Sequence, residues 1–124
     1  MNNRILIVDD SQVIRDLLKE YLVDQGFDVE LAVNGQEGID MALENEYAAV
    51  FCDIHMPKKN GFQVYTEVSD QKPEMRFIMT DSLPDELAEK SQAAGACCCL
   101  TKPFDLDEVS RTLEAVLDTA KSHE

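Results

Sequence analysis

Basic residues are scarce in this chain. Its 124 residues carry 11 Lys and Arg against 25 Asp and Glu, a net charge of −14. Such a surface repels DNA and anionic membranes over roughly a Debye length. No stretch supplies the basic patch that nucleic-acid binding needs. Direct nucleic-acid contact is not expected, and any influence on transcription must pass through a partner or another domain. Long hydrophobic runs are also missing. No apolar stretch approaches the ~20 residues of a membrane span. The residues before Ile5 are too few and too polar for a signal peptide. The expectation is a cytoplasmic protein without membrane insertion.

Metal-type cysteine spacing is absent as well. The four cysteines are Cys52 and the run Cys97-Cys98-Cys99, with no Cys-x-x-Cys pair and no neighbouring His. Neighbouring strand residues point to opposite faces, so Cys98 shares no face with Cys97 or Cys99. Small, reduced, buried hydrophobes fit this pattern better than a soft-metal or redox site. No linker, repeat or low-complexity segment divides the chain, and its length suits one domain over residues 1–124.

What is present is a set of apolar runs that each end in chemistry. Ile5 to Val8 ends in Asp9-Asp10, and Ala48 to Cys52 ends in Asp53. Phe77 to Met79 ends in Thr80, and Ala96 to Leu100 stops one residue short of Lys102. Short apolar runs bounded by polar residues suit strands buried on both faces of a parallel sheet. Phe27 to Ala32 alternates as a further strand.

Helix-like segments separate these runs. Ser11 leads into Val13, Ile14, Leu17, Leu18, Tyr21 and Leu22, and Gly26 stops them. Asn34-Gly35 turns the chain ahead of Ile39, Ala42 and Leu43. A loop from Met56 to Gly61 precedes a helix over Phe62 to Val68. Pro84 suits the first turn of a fourth helix closing at Ala94-Gly95. Asp105, with an acid at Glu108, caps a fifth helix carrying Val109, Leu113, Val116 and Leu117. Alternating units of this kind imply a parallel sheet with right-handed crossovers and helices on both faces.

Ligands in such sheets sit at the carboxyl ends of the strands, so these polar residues meet in one place. Three clustered carboxylates, Asp9, Asp10 and Asp53, repel one another unless a cation joins them. Magnesium fits, because it takes few oxygen ligands and bridges to phosphate, and the His55 carbonyl is a further ligand candidate. Lys102 and Thr80 add an ammonium and a hydroxyl for phosphoryl oxygens, and Asp53 can be the nucleophile of an acyl phosphate. Each residue also has a structural explanation. Asp9 or Asp10 with Ser11 can cap a helix, Asp53 can be a turn residue, Thr80 a cap, and Lys102 a solvated charge. Four strand ends converging by accident is the less economical reading.

The chain resembles the receiver domain of two-component response regulators, of the single-domain chemotaxis type. Val8-Asp9-Asp10-Ser11, Asp53-Ile54-His55-Met56-Pro57 with Gly61, Thr80, and Lys102-Pro103-Phe104 carry the resemblance over essentially all 124 residues. It implies a flavodoxin-like doubly wound α/β fold, five parallel strands in order 2-1-3-4-5 with five helices. It implies that Asp53 takes a phosphoryl group from a sensor histidine kinase or a phosphotransfer protein. Asp10, Asp53 and the His55 carbonyl would ligate Mg2+ directly, and Asp9 through water. Lys102 would pair with the phosphoryl oxygens, Thr80 would swing towards them, and the Lys102-Pro103 peptide would be cis. The output would be a shift of the surface made by the fourth helix, fifth strand and fifth helix, read by a downstream protein effector or output domain. The family also allows a monomer or a weak dimer.

Two positions depart from the family pattern. Cys99 stands where an aromatic residue usually turns inward, which implies a smaller or differently routed switch. Asp81 stands where a small residue usually follows the threonine. Its charge either repels an incoming dianion by about 1 kcal/mol or faces solvent as a cap. With Ser82, these are the expected modulating positions. The alternatives to a phosphorylated receiver are a receiver-like module that binds its partner without phosphorylation, and a magnesium-dependent phosphatase with an aspartyl nucleophile. The second lacks an Asp two residues after Asp53, where His55 stands.

Overall fold

In a computed structural model, five parallel strands form one sheet in the order β2-β1-β3-β4-β5. The structure describes residues 2–81, 89–90, 93 and 98–122, with 98–99 and 118–122 described at the level of the backbone. The strands are β1 (Arg4–Val8), β2 (Asp28–Ala32), β3 (Ala49–Asp53), β4 (Phe77–Asp81) and β5 (Cys98–Thr101). The helices are α1 (Gln12–Asp24), α2 (Gly35–Glu44), α3 (Gly61–Gln71) and α4 (Leu106–Ser122). This is the expected order 2-1-3-4-5. The helix expected from Pro84 to Gly95 lies mostly outside the described residues, with Glu89, Lys90 and Ala93 helical within it. Ser82, Cys97 and the Cys99 side chain also lie outside them.

The period-2 alternation of the strands divides the core into two layers. Leu6, Val8, Val50, Cys52, Phe77 and Met79 pack with α2 and α3 through Ile39, Ala42, Val64 and Val68. Ile5, Ile7, Ala49, Phe51 and Ile78 face the other way, onto α1 and α4 through Leu18, Leu22, Val109, Leu113 and Val116. Residues 5–8 of β1 and all of β3 and β4 are buried, as strands covered on both faces must be. Each large side chain so buried contributes about 1.5 to 3 kcal/mol against exposure. That packing makes the strand ends a rigid platform.

Local signals set the helix starts. The Ser11 hydroxyl accepts from the Ile14 amide, and Asn34 accepts from Glu37. Asn34-Gly35 is therefore the N-terminus of α2 rather than a free-standing turn. Asn60 and Gln63 form a reciprocal capping box at α3, which runs further than Phe62 to Val68 at both ends. Asp105 accepts from the Glu108 amide at 2.8 Å, as expected for a cap of the last helix. Gly26 adopts φ +98°, which ends α1 in a conformation side chains disfavour.

At the opposite pole, Arg4 pairs with Glu30 and lies 5.0 Å from the Tyr47 ring centroid. The Tyr47 hydroxyl donates to Glu30 at 2.8 Å, bracing β1, β2 and the segment leading into β3.

Candidate functional site

The candidate site stands at the carboxyl ends of β1, β3, β4 and β5. Asp9 follows β1 and is buried. Its amide donates to the Ala32 carbonyl at 3.2 Å, which extends the β1–β2 ladder by one step. Its Oδ1 accepts from the Ser11 amide at 2.8 Å, and its Oδ2 accepts from Lys102 Nζ at 2.9 Å. Asp10, next in the chain, is exposed. Asp53 is the last residue of β3 and is 5% exposed. Its Oδ1 lies 3.4 Å from the His55 amide, and its Oδ2 lies 3.5 Å from Lys102 Nζ.

Thr80 is paired in register with Asp53 and is buried in β4, so it does not act as a helix cap. Lys102 follows β5, and its amide donates to the Asp81 carbonyl at 2.6 Å. The Lys102-Pro103 peptide is cis, as the resemblance implies.

Two close approaches shape this geometry. A Cβ on Gly61 would stand 2.5 Å from the Asp53 carbonyl oxygen and 2.7 Å from Ile54 Cα. Only glycine there lets the N-terminus of α3 sit against the backbone that carries Asp53. Arg15 supplies the other constraint, donating from Nη1 to the Asp9 carbonyl at 2.7 Å. Sequence reading passed over Arg15. The available signal was its place one turn into α1, since helical side chains lean back towards the N-terminus.

Charge decides what the site can hold. One ligand oxygen from each of Asp9, Asp10 and Asp53 lies within 4.8 Å of the others. Burial first, then the charge of Asp9, pushes the Asp53 carboxyl up to about 6, with Lys102 and the His55 amide offsetting part of this. Burial alone would lower the Lys102 ammonium, but the hydrogen bond and charge of Asp9 and the charge of Asp53 outweigh it. The ammonium is held above its ordinary value. Burial also pushes the Cys52 thiol far up, keeping it protonated and inert. Three carboxylates against one ammonium leave two negative charges, which suits a divalent cation with oxygen preference.

Asp81 does not face solvent. It is fully buried, and its Oδ1 lies 3.4 Å from Nε2 of the half-exposed His55 side chain. The solvent-facing alternative for Asp81 is thereby removed.

Among the described residues no helix is long and apolar enough to cross a membrane. Residues 5–114 match the family model of the response regulator receiver domain. The transcriptional regulatory protein SrrA of Staphylococcus aureus is 36% identical over 122 residues, which cover 98% of this chain and 51% of SrrA. The chain thus spans about half the length of the curated relatives it matches. A CheY-like receiver domain protein from Methanospirillum hungatei superposes with a TM-score of 0.96 over the whole of both chains at 27% identity. The response regulator TrrA of Thermotoga maritima, solved in complex with Mg(2+)-BeF, superposes with a TM-score of 0.85 at 32% identity. It covers 94% of this chain and 100% of its own. Strand order, the acidic cluster at the strand ends and these matches agree, and the chain belongs to the response regulator receiver domain family of two-component systems.

Proposed function

We propose that residues 1–124 act as a phosphoacceptor receiver in which Asp53 takes a phosphoryl group from a histidine kinase or a phosphotransfer protein. The observation that carries this reading is the position of Asp53, buried at a strand end between two further carboxylates and the Lys102 ammonium. A carboxyl pushed to about 6 remains mostly ionised at neutral pH, so the nucleophile is ready. An Asp53 oxygen bonds to phosphorus as the P–N bond of phosphohistidine breaks, and the imidazole leaves with the bonding pair. The product is an acyl phosphate.

In this reading Asp10, Asp53 and the His55 carbonyl would hold Mg2+, with Asp9 supporting it through water. Bound Mg2+ supplies charge neutralisation at the phosphoryl oxygens. Lys102, within reach of both Asp9 and Asp53, exchanges a carboxylate partner for a phosphoryl oxygen. Thr80, alongside Asp53 in register, offers its hydroxyl to another oxygen. The output in this reading is a population shift of the surface made by β5, the last helix and the helix expected from Pro84 to Gly95. That surface addresses a downstream effector or an output domain, with Cys99 in place of an aromatic switch residue. The chain then acts as a signalling phosphoacceptor, catalysing only its own phosphorylation and dephosphorylation.

Borohydride reduction of the phosphorylated chain tests this assignment. The acyl phosphate is reduced at residue 53, and reduction mapped to Asp9 or Asp10 instead would overturn it.

A further inference from the structure

Asp53 and Thr80 are register partners at the ends of two neighbouring strands. His55 lies two residues past Asp53, and Asp81 lies one residue past Thr80. A contact between the side chains of residues 55 and 81 therefore joins the segment that follows the acceptor to the strand end beside it. The structure holds such a contact, with His55 Nε2 3.4 Å from Asp81 Oδ1. Its anchored end is rigid. The Asp81 side chain is 1% exposed, and its backbone is fixed by pairing with Thr101 and by the Lys102 amide. Its other end, the His55 imidazole, is 46% exposed and sits on the loop leading to α3. The neighbouring Asp53 side chain is only 7% exposed.

We infer that His55 and Asp81 form a latch across the mouth of the Asp53 pocket, making His55 a specificity-determining residue that restricts entry of free phosphodonors. The inference rests on the phosphoacceptor reading and adds to it a selection among donors. A protein donor brings contact energy of its own and can displace a half-exposed imidazole as it docks. A free acyl phosphate brings little such energy and meets the latch closed. Water reaching the acyl phosphate crosses the same mouth.

The latch differs in sign from simple charge repulsion by Asp81. If charge alone governed entry, removing His55 would leave Asp81 nearer to acting as a bare anion, and phosphorylation would slow. If the latch governs entry, removing His55 opens the mouth, and phosphorylation speeds up. The reaction measured is the same in both cases. An Asp53 oxygen bonds to phosphorus, the P–O bond of acetyl phosphate breaks, and acetate leaves with the pair. With phosphoramidate the P–N bond breaks, and nitrogen leaves as ammonia after taking a proton.

The experiment measures phosphorylation rates of the full chain with Mg2+ and either acetyl phosphate or the smaller phosphoramidate. The proteins are wild type, His55→Ala, Asp81→Ala and the double variant. His55→Ala alters a half-exposed side chain, so it keeps the test informative should Asp81→Ala fold poorly. The latch predicts a rise of about fivefold in each single variant with acetyl phosphate. It predicts a smaller rise with phosphoramidate, no further gain in the double variant, and a shorter acyl-phosphate lifetime in His55→Ala. A slower His55→Ala, or rates equal to wild type, overturns the latch while leaving the phosphoacceptor reading standing. Absence of an Asp53 adduct in every protein overturns both.

Discussion

Lys102 Nζ sits 2.9 Å from Asp9 Oδ2 and 3.5 Å from Asp53 Oδ2, closer to the cluster's flank than to its acceptor. The ammonium thus holds the undecorated site together by bridging two buried acids. An incoming phosphoryl group offers it oxygens with more negative charge.

Lys102→Met separates these two duties. Removing a cation from beside three carboxylates leaves Mg2+ affinity unchanged or tighter. Phosphorylation of Asp53 by acetyl phosphate falls about a hundredfold, because charge on the phosphoryl oxygens loses its fixed partner. Calorimetric Mg2+ titration and a phosphorylation time course check the two halves. Loss of Mg2+ binding in the variant would contradict this division.

The buried Asp53 carboxyl gives stability an inverted pH dependence. Its folded value of about 6 lies above the ordinary carboxylate value of 3.8, so the folded chain holds its proton more tightly. The stability linked to that proton is complete below the unfolded value and is lost as pH rises through about 6. After allowance for screening, the loss is on the order of 1 to 2 kcal/mol. Asp53→Asn is therefore more stable than wild type by that amount at about pH 8, and the gap narrows towards about pH 5. Urea midpoints without added metal measure it. A gap that widens on acidification would reverse the sign and sink the argument.

Arg15 yields a prediction whose sign separates positioning from charge. Its guanidinium fixes the Asp9 carbonyl at 2.7 Å and so orients the turn carrying Asp9 and Asp10. As a bare positive charge it would oppose a divalent cation, and its removal would tighten Mg2+ binding. As a positioning residue its removal loosens the ligands. Arg15→Gln is expected to weaken Mg2+ binding about tenfold, with a thermal midpoint within a few degrees of wild type. Tighter binding would assign Arg15 to electrostatics alone.

The sheet was legible in the sequence because its central strands are apolar on both faces. Ile5 to Val8 and Phe77 to Met79 read as buried runs and lie in β1 and β4 with their polar ends at one edge of the sheet. The polar residues ending the apolar runs were legible for the same reason, since parallel strands put their carboxyl ends together. What the sequence could not disclose depends on side-chain direction across elements. Asp81 read equally well as a solvent-facing cap or as an obstruction, and only packing shows it buried against His55. The reach of Arg15 back to the Asp9 carbonyl depends on a rotamer, which no periodicity encodes. Asn34 read only as a turn residue, and the bond it accepts from the Glu37 amide shows it to be the cap of α2.

The most direct test of the central claim is intact-protein mass spectrometry after incubation with Mg2+ and acetyl phosphate, beside Asp53→Asn. A slow entry of small donors is expected, so the incubation is followed to a plateau and repeated with Asp81→Ala. The phosphoacceptor account predicts one added phosphoryl group on the wild-type chain and on Asp81→Ala, and none on Asp53→Asn. No adduct on either of the first two, or an undiminished adduct on Asp53→Asn, would contradict it.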